Sequence, residues 1–244
     1  MDPFFILVSP QMGENIGSAA RAMWNFGFQS MRVVNPRDGW PNQRAVALAS
    51  GAGRVLDAAS VYPTTAEAVA DLNYVYATTA RPREMTKLVL TPEEAARDAR
   101  ERGARGEKVG FLFGPERTGL ENDDVIRANA IVTVPVNPEF PSLNLAQCAL
   151  LVAYELSRAV DETPGTVYQT GKSEIAEGAA VERMIGHLVE ELDGAGFFFP
   201  EEKRASMLVN LKNLFSRAPL TDQDVRTLHG VIRSLSEKRR SARD

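Results

Sequence analysis

The sequence predicts an α/β domain, a mostly parallel sheet with helices on both faces, followed by a small helical C-terminal extension. Two observations carry this. From residue 4 to residue 160, short apolar runs rich in β-forming residues alternate with segments of helical period. That alternation is the pattern of a parallel sheet covered on both sides. After residue 173 only helical periodicity is left, so the tail forms a module of different architecture.

The elements follow in order. Residues 4–9 (FFILVS) form a buried strand, and residues 15–27 a helix ended by Gly27. A second strand covers 31–35 and is closed by Pro36. A short helix over 43–50 precedes the Gly51-Ala52-Gly53 turn, with a weak strand expected at 54–57 and a helix at 65–71. Residues 73–78 (NYVYAT), 109–113 (VGFLF) and 131–136 (IVTVPV) form three more strands, with an exposed charged helix over 92–102 between the first two. Residues 143–160 form a long, nearly all-apolar helix, for which Ser142 is the expected N-cap.

The domain boundaries read as 1–162 for the α/β domain, 163–173 for a polar, Gly-containing linker, and 174–244 for the helical extension. In the extension, Val181, Met184, Ile185, Leu188, Val189 and Leu192 form one apolar stripe. Met207, Leu208, Leu211, Leu214 and Phe215 form a second. Val225, Leu228, Val231, Ile232 and Leu235 form a third, with Asp222 the expected cap of its helix.

Composition narrows the function. With 44% hydrophobic and 25% charged residues the chain can build an ordinary globular core. It has no apolar run near the roughly 18 residues of a membrane span, and no signal peptide pattern, so the cytoplasm is the expected compartment. A single cysteine, Cys148, excludes an internal disulfide and reads as an inert thiol in an apolar helix. His187 and His229 stand apart in sequence with no cysteine cluster, so no metal site is expected. Net charge is −4, yet residues 200–243 hold ten Lys/Arg against five Asp/Glu. Such a face either meets phosphates or is a solvated helix surface.

Three polar clusters follow strands, where open α/β sheets bind ligands. The first runs Asn15-Ile16-Gly17-Ser18-Ala19-Ala20-Arg21. Its glycine offers a helix start with free N–H groups, and Arg21 stands among small residues from which it can extend over a cleft. A surface arginine on an amphipathic helix is the plainer reading. The dinucleotide fingerprint is missing, since Gly13 and Gly17 are four apart. The second cluster is Gly114-Pro115-Glu116-Arg117-Thr118-Gly119-Leu120, where Gly114 permits close approach of a ligand and Glu116 supplies a carboxylate. The third is Asn137 to Leu145, stiffened by Pro138 and Pro141, with Ser142 and Asn144 at the helix start.

In combination and order, Asn15/Gly17/Arg21, Gly114/Glu116/Gly119/Leu120 and Ser142/Leu143/Asn144 resemble the three motifs of the SpoU/TrmH family in the SPOUT superfamily. The likeness covers residues 4–160, and the wording of SAARAM, VNP, TTAR and NLAQ is similar to the TrmJ-like branch. The resemblance implies a C-terminal trefoil knot, which patterning alone does not reveal. It implies S-adenosylmethionine as cofactor, held by Thr78, Thr79, Ala80, Gly114, Val134, Pro141, Ser142 and Leu143. It implies transfer of a methyl group to a ribose 2′-hydroxyl of RNA, with tRNA, at anticodon-loop position 32, the expected substrate. Arg21, Asn15, Glu116, Ser142 and Asn144 become the catalytic candidates, Arg21 acting either as a cation that steadies the developing alkoxide and a phosphate or as a transient base. A homodimer is implied as well, with Trp24, Phe26 and helix 143–160 as candidates for its interface or simply for the core. Neither DNA nor a membrane is an expected partner. The rival readings are an rRNA methyltransferase of the same family, a non-catalytic RNA-binding protein on the same fold, and a nucleotide-dependent oxidoreductase.

Overall fold

The structure, a computed structural model, describes residues 2–81, 85–217 and 219–241. It divides into two compact units, Met1–Thr163 and Pro164–Asp244.

In the first unit, seven described strands form one sheet: β1 (Phe4–Val8), β2 (Met31–Val34), β3 (Ser60–Tyr62), β4 (Tyr74–Thr78), β5 (Leu88–Leu90), β6 (Val109–Phe113) and β7 (Ala130–Val132). Their spatial order is β3-β2-β1-β6-β4-β7-β5, and every pairing is parallel. Seven helices cover it: α1 (Gly13–Asn25), α2 (Gln43–Ala49), α3 (Gly53–Asp57), α4 (Thr65–Val69), α5 (Pro92–Ala104), α6 (Asn122–Arg127) and α7 (Leu145–Arg158).

Alternation along the strands divides the core in two. Phe5 and Leu7 of β1, Tyr76 of β4, and Phe111 and Phe113 of β6 face the layer of α1, α2, α3, α5 and α7. Ile6, Val8, Val75, Ala77 and Leu112 face α4 and α6. The first layer is aromatic: the rings of Phe5 and Phe113 stack at 5.7 Å and those of Tyr76 and Phe111 at 4.6 Å. Each such fully buried side chain is worth about 1.5–3 kcal/mol. The Tyr76 hydroxyl donates to Asp98 of α5 at 2.6 Å, and burial pushes its pKa far above the ordinary phenol value. On the second face Arg32 is only 5% exposed. Its guanidinium donates to the Ala68 carbonyl and to both Asp71 oxygens, and lies 3.7 Å from the Phe4 ring centroid.

Several sequence expectations are corrected. The weak strand at 54–57 is α3, which follows a 3-10 turn over Ser50–Ala52 and buries Val55 and Leu56. Two apolar neighbours fit a single helical turn as well as a strand. The strand expected at 131–136 ends at Val132, and 133–144 is loop. Gly17 does not open a helix, because α1 begins at Gly13. A Cβ on Gly17 would stand 2.1 Å from the Ala45 carbonyl oxygen, so this glycine lets α1 lie close against α2.

In the second unit, α8 (Gly178–Gly194) packs on α10 (Asp222–Ser241), with α9 (Arg204–Ser216) between them in sequence. Met184, Ile185, Val225 and Ile232 form its small core. The two histidines come together here, with His187 Nδ1 and His229 Nδ1 3.0 Å apart and the rings stacked. Asp222 is not the cap of α10. Thr221 is, its hydroxyl accepting from the Asp224 N–H while Asp224 accepts from the Thr221 N–H. The stripe expected on α9 buries no residue. Of the ten basic residues after position 200, the side chains of Lys238, Arg239, Arg240 and Arg243 lie outside the described residues.

Candidate functional site

The chain switches direction across the sheet when β4, laid down after β3, goes to the far side of β1. At such switch points ligands bind beyond the carboxyl ends of the strands. Here the ends of β4, β6 and β7 are pinned side by side. Thr78 Oγ1 donates to the Leu112 carbonyl at 2.8 Å, the Thr79 N–H to the Val132 carbonyl at 3.0 Å, and Thr133 Oγ1 to the Thr79 carbonyl at 2.9 Å. Beyond them, the loops after β4, β6 and β7 enclose a cleft of about 300 Å³. Thr78, Thr79, Ala80, Gly114, Val134, Pro141, Ser142 and Leu143 all line it, together with Arg81, Phe113, Pro115, Glu116, Arg117, Thr118, Gly119, Val132, Leu145 and Cys148.

The middle loop is held by its backbone. The Gly119 N–H donates to the Pro115 carbonyl at 2.8 Å, with Gly119 at φ +67°. A Cβ on Gly114 would meet the Leu120 nitrogen at 2.2 Å. The close approach at Gly114 is thus to the protein's own turn, while the residue also lines the cleft.

A polar chain ties the three motifs together. The backbone N–H of Gln11 donates to Glu116 Oε2 at 2.9 Å, and Asn15 Nδ2 donates to Glu116 Oε1 at 2.6 Å. Asn144 Nδ2 donates to Asn15 Oδ1 at 3.0 Å. Asn144 Oδ1 accepts from the Ala146 and Gln147 N–H groups. Asn144 is thus the N-cap of α7, which corrects the expectation for Ser142. Ser142 is exposed and belongs to the cleft wall.

Arg21 is exposed on α1 and does not line the cleft of its own chain. Asn15, Glu116 and Asn144 bond one another and not Arg21, so within one chain they brace loops rather than orient the guanidinium. Cys148 reaches the cleft floor, where burial pushes its thiol up to about 11 and keeps it protonated. On α7, Leu145, Ala149, Val152 and Leu156 go into the core while Leu150 and Tyr154 stay exposed. Trp24 and Phe26 are partly buried against the same core.

Sequence reasoning gave no site role to Arg81, Arg117 or the apolar floor of Phe113, Val132 and Leu145. Position at or just beyond the carboxyl end of a strand was the signal for all but Leu145, which opens α7.

The SpoU rRNA methylase family model matches residues 2–154. The chain belongs to the SpoU rRNA methylase family. The model of the tRNA methyltransferase TrmJ C-terminal domain matches residues 179–244, so this SpoU-family chain carries the tail of the TrmJ branch. Among similar proteins is the tRNA (cytidine/uridine/adenosine-2′-O-)-methyltransferase TrmJ of Pseudomonas aeruginosa (strain UCBPP-PA14), 33% identical over 249 residues that cover 96% of each chain. The tRNA (cytidine/uridine-2′-O-)-methyltransferase TrmJ of Sodalis glossinidius is 34% identical over 234 residues, 94% of this chain and 89% of that one. The crystal structure of TrmJ from Z. mobilis ZM4 superposes with a TM-score of 0.85 at 51% identity, covering 97% of this chain and all of that one. The SpoU-family chain therefore has the SPOUT architecture, an α/β fold on a parallel sheet with a small helical extension. Among the described residues no helix is long and apolar enough to cross a membrane.

Proposed function

We propose that this chain is an S-adenosylmethionine-dependent tRNA methyltransferase acting on a ribose 2′-hydroxyl, at position 32 of the anticodon loop, as a cytoplasmic homodimer. The observation that supports the reading is the cleft at the switch point, whose wall contains every residue expected to hold the cofactor. Its volume of about 300 Å³ lies at the lower end of small-molecule sites, roughly 300–1,000 Å³. The floor of Phe113, Val132, Val134 and Leu145 is apolar and suits a flat base. The loop backbone at Ala80, Ser142 and Leu143 would hold its polar edges, with Thr79 itself held by its bonds to Val132 and Thr133.

When bound, S-adenosylmethionine supplies an electrophilic methyl group on a sulfonium. The protein's task is to fix the ribose hydroxyl in line and to steady its oxygen as the proton leaves. Arg21 suits the second task as a cation, since a guanidinium with a pKa above about 12 keeps its proton and matches phosphate geometry. Its exposed position outside its own chain's cleft fits a dimer in which it reaches the partner subunit's cleft. Glu116, Asn15 and Asn144 keep the walls in register. Ser142, exposed at the cleft, is available to the ribose.

The test is incubation of the protein with labelled cofactor and, separately, total tRNA and total rRNA. Label in tRNA ribose is expected. Label confined to rRNA would replace tRNA as the substrate, and cofactor binding without transfer to either RNA would overturn the enzymatic reading.

A further inference from the structure

The chain has 32 acidic and 28 basic residues, so carboxylates are available to pair its arginines. Seven of the thirteen described arginines of the α/β unit meet a carboxylate. Arg32 meets Asp71, Arg37 meets Asp38, Arg44 meets Glu14, Arg97 meets Glu94, Arg102 and Arg105 meet Glu107, and Arg158 meets Glu155. Of the six without an ion pair among the described residues, two line the cleft. Arg81, leaving β4, and Arg117, in the turn after β6, both line it and are both exposed. Among the described residues neither guanidinium has a hydrogen-bond or ion-pair partner.

Hydrogen bonds place their backbones. The Arg81 N–H donates to Thr79 Oγ1 at 3.2 Å, in the residue whose own N–H and carbonyl are bonded to Val132 and Thr133. Arg117 sits inside the turn closed from Gly119 to Pro115, next to Glu116, whose two oxygens are taken by Gln11 and Asn15. The neighbouring carboxylate is therefore occupied, and Arg117 is left to face solvent. Two exposed, unpaired guanidiniums lining one cleft suit a phosphate clamp, because a guanidinium forms two parallel hydrogen bonds to phosphate oxygens.

We infer that Arg81 and Arg117 bind the RNA backbone phosphate flanking the acceptor ribose, and so set where the substrate strand crosses the mouth of the cleft. This rests on the RNA methyltransferase reading above. The clamp carries no base information, since phosphate contacts position a nucleic acid without reading its sequence.

The experiment uses the full chain with Arg81→Gln, Arg117→Gln and both together. Arg105→Gln serves as control, an exposed arginine paired with Glu107 at the amino edge of the sheet. Affinity for a tRNA transcript is measured over a series of salt concentrations, S-adenosylmethionine affinity by calorimetry, and kcat and KM for methyl transfer. Each clamp variant is expected to lower the slope of log K against log salt by about 0.7–0.9, and the double variant by about twice that. KM for tRNA rises about tenfold per variant while kcat and cofactor affinity stay at the wild-type level. The control leaves the slope unchanged.

Unchanged slopes in folded variants overturn the clamp. Weakened cofactor affinity with an unchanged slope also overturns it, and assigns the guanidiniums to the cofactor's carboxylate. If the wild-type protein transfers no methyl to any RNA, it is the methyltransferase reading that fails. If wild type is active and the variants match it, only the clamp fails.

Discussion

Asn144 carries two duties whose separation tests the account of the site. Its Oδ1 caps α7 by accepting from the Ala146 and Gln147 N–H groups, and its Nδ2 donates to Asn15. Asn144→Ala removes both. Loss of an N-cap costs about 1 kcal/mol. Asn15 is only 9% exposed, so its orphaned Oδ1 adds about 1–2 kcal/mol. The sum, about 2–3 kcal/mol, lowers the melting temperature of a unit of this size by roughly 5–10 °C. Asn144→Asp keeps the acceptor for the cap and gains from the helix dipole, but it cannot donate to Asn15. It should lose about half as much stability. Because Ser142 and Leu143 directly precede Asn144 in the cleft wall, S-adenosylmethionine affinity should fall in both variants, more in the alanine one. Thermal unfolding followed by circular dichroism, with cofactor titration by calorimetry, measures both effects. If the aspartate variant is as unstable as the alanine variant, the cap carries none of the stability. If both melt like the wild type, the polar chain linking the motifs contributes nothing.

Three further outcomes follow from the same structure. Gly114→Ala should destabilise the α/β unit by about 3 kcal/mol or more, because its Cβ would stand 2.2 Å from the Leu120 nitrogen; a wild-type melting curve refutes this. Arg21→Ala should cut methyl transfer by roughly 100-fold or more while leaving cofactor affinity intact, since Arg21 lies outside the cleft lining; parallel losses in both measurements would show it is misassigned. Asp71, held at about 2 against an ordinary 3.8 chiefly by its hydrogen bonds from Arg32, contributes stability above pH 3.8 that is lost as the pH falls through about 2. With its side chain 47% exposed, the contribution is discounted to about 1 kcal/mol. Asp71→Asn should remove that part of the acid limb between those two pH values, and an unaltered limb in acid titration followed by fluorescence counts against the ion pair.

The sequence showed those parts of the fold whose signal is continuous. FFILV and VGFLF are uninterrupted apolar runs, and as β1 and β6 they lie side by side in the middle of the sheet. β3 and β5 have three residues each and a mostly exposed pattern, so neither carries a period to read. α6 has only six residues, under two helical turns. At 54–57 two apolar neighbours supported a strand until the preceding 3-10 turn set a helix.

At the site, the residue types were legible and their duties were not. Asn15 and Glu116 are 101 positions apart, and Asn15 and Asn144 are 129 apart. No local pattern reports that they bond each other. Ser142 and Asn144 are both good capping residues, and only the loop's path decides between them. Gly17 and Gly114 read as glycines of a ligand site, and a sequence does not show that Ala45 and Leu120 also crowd them.

The atom that accepts the methyl group is a ribose 2′-oxygen of tRNA. This is tested most directly with two tRNAs that differ in one atom. One is unmodified, and the other carries a 2′-deoxynucleotide at position 32 and is otherwise identical. Each is incubated with the full-length protein and S-adenosylmethionine labelled in the methyl group, and label is then located after alkaline hydrolysis. Stoichiometric label is expected in the unmodified tRNA, protected from alkali at position 32, and none in the deoxy tRNA despite similar binding. Equal label in both would contradict it, because the methyl would then be going to a base or to another nucleotide.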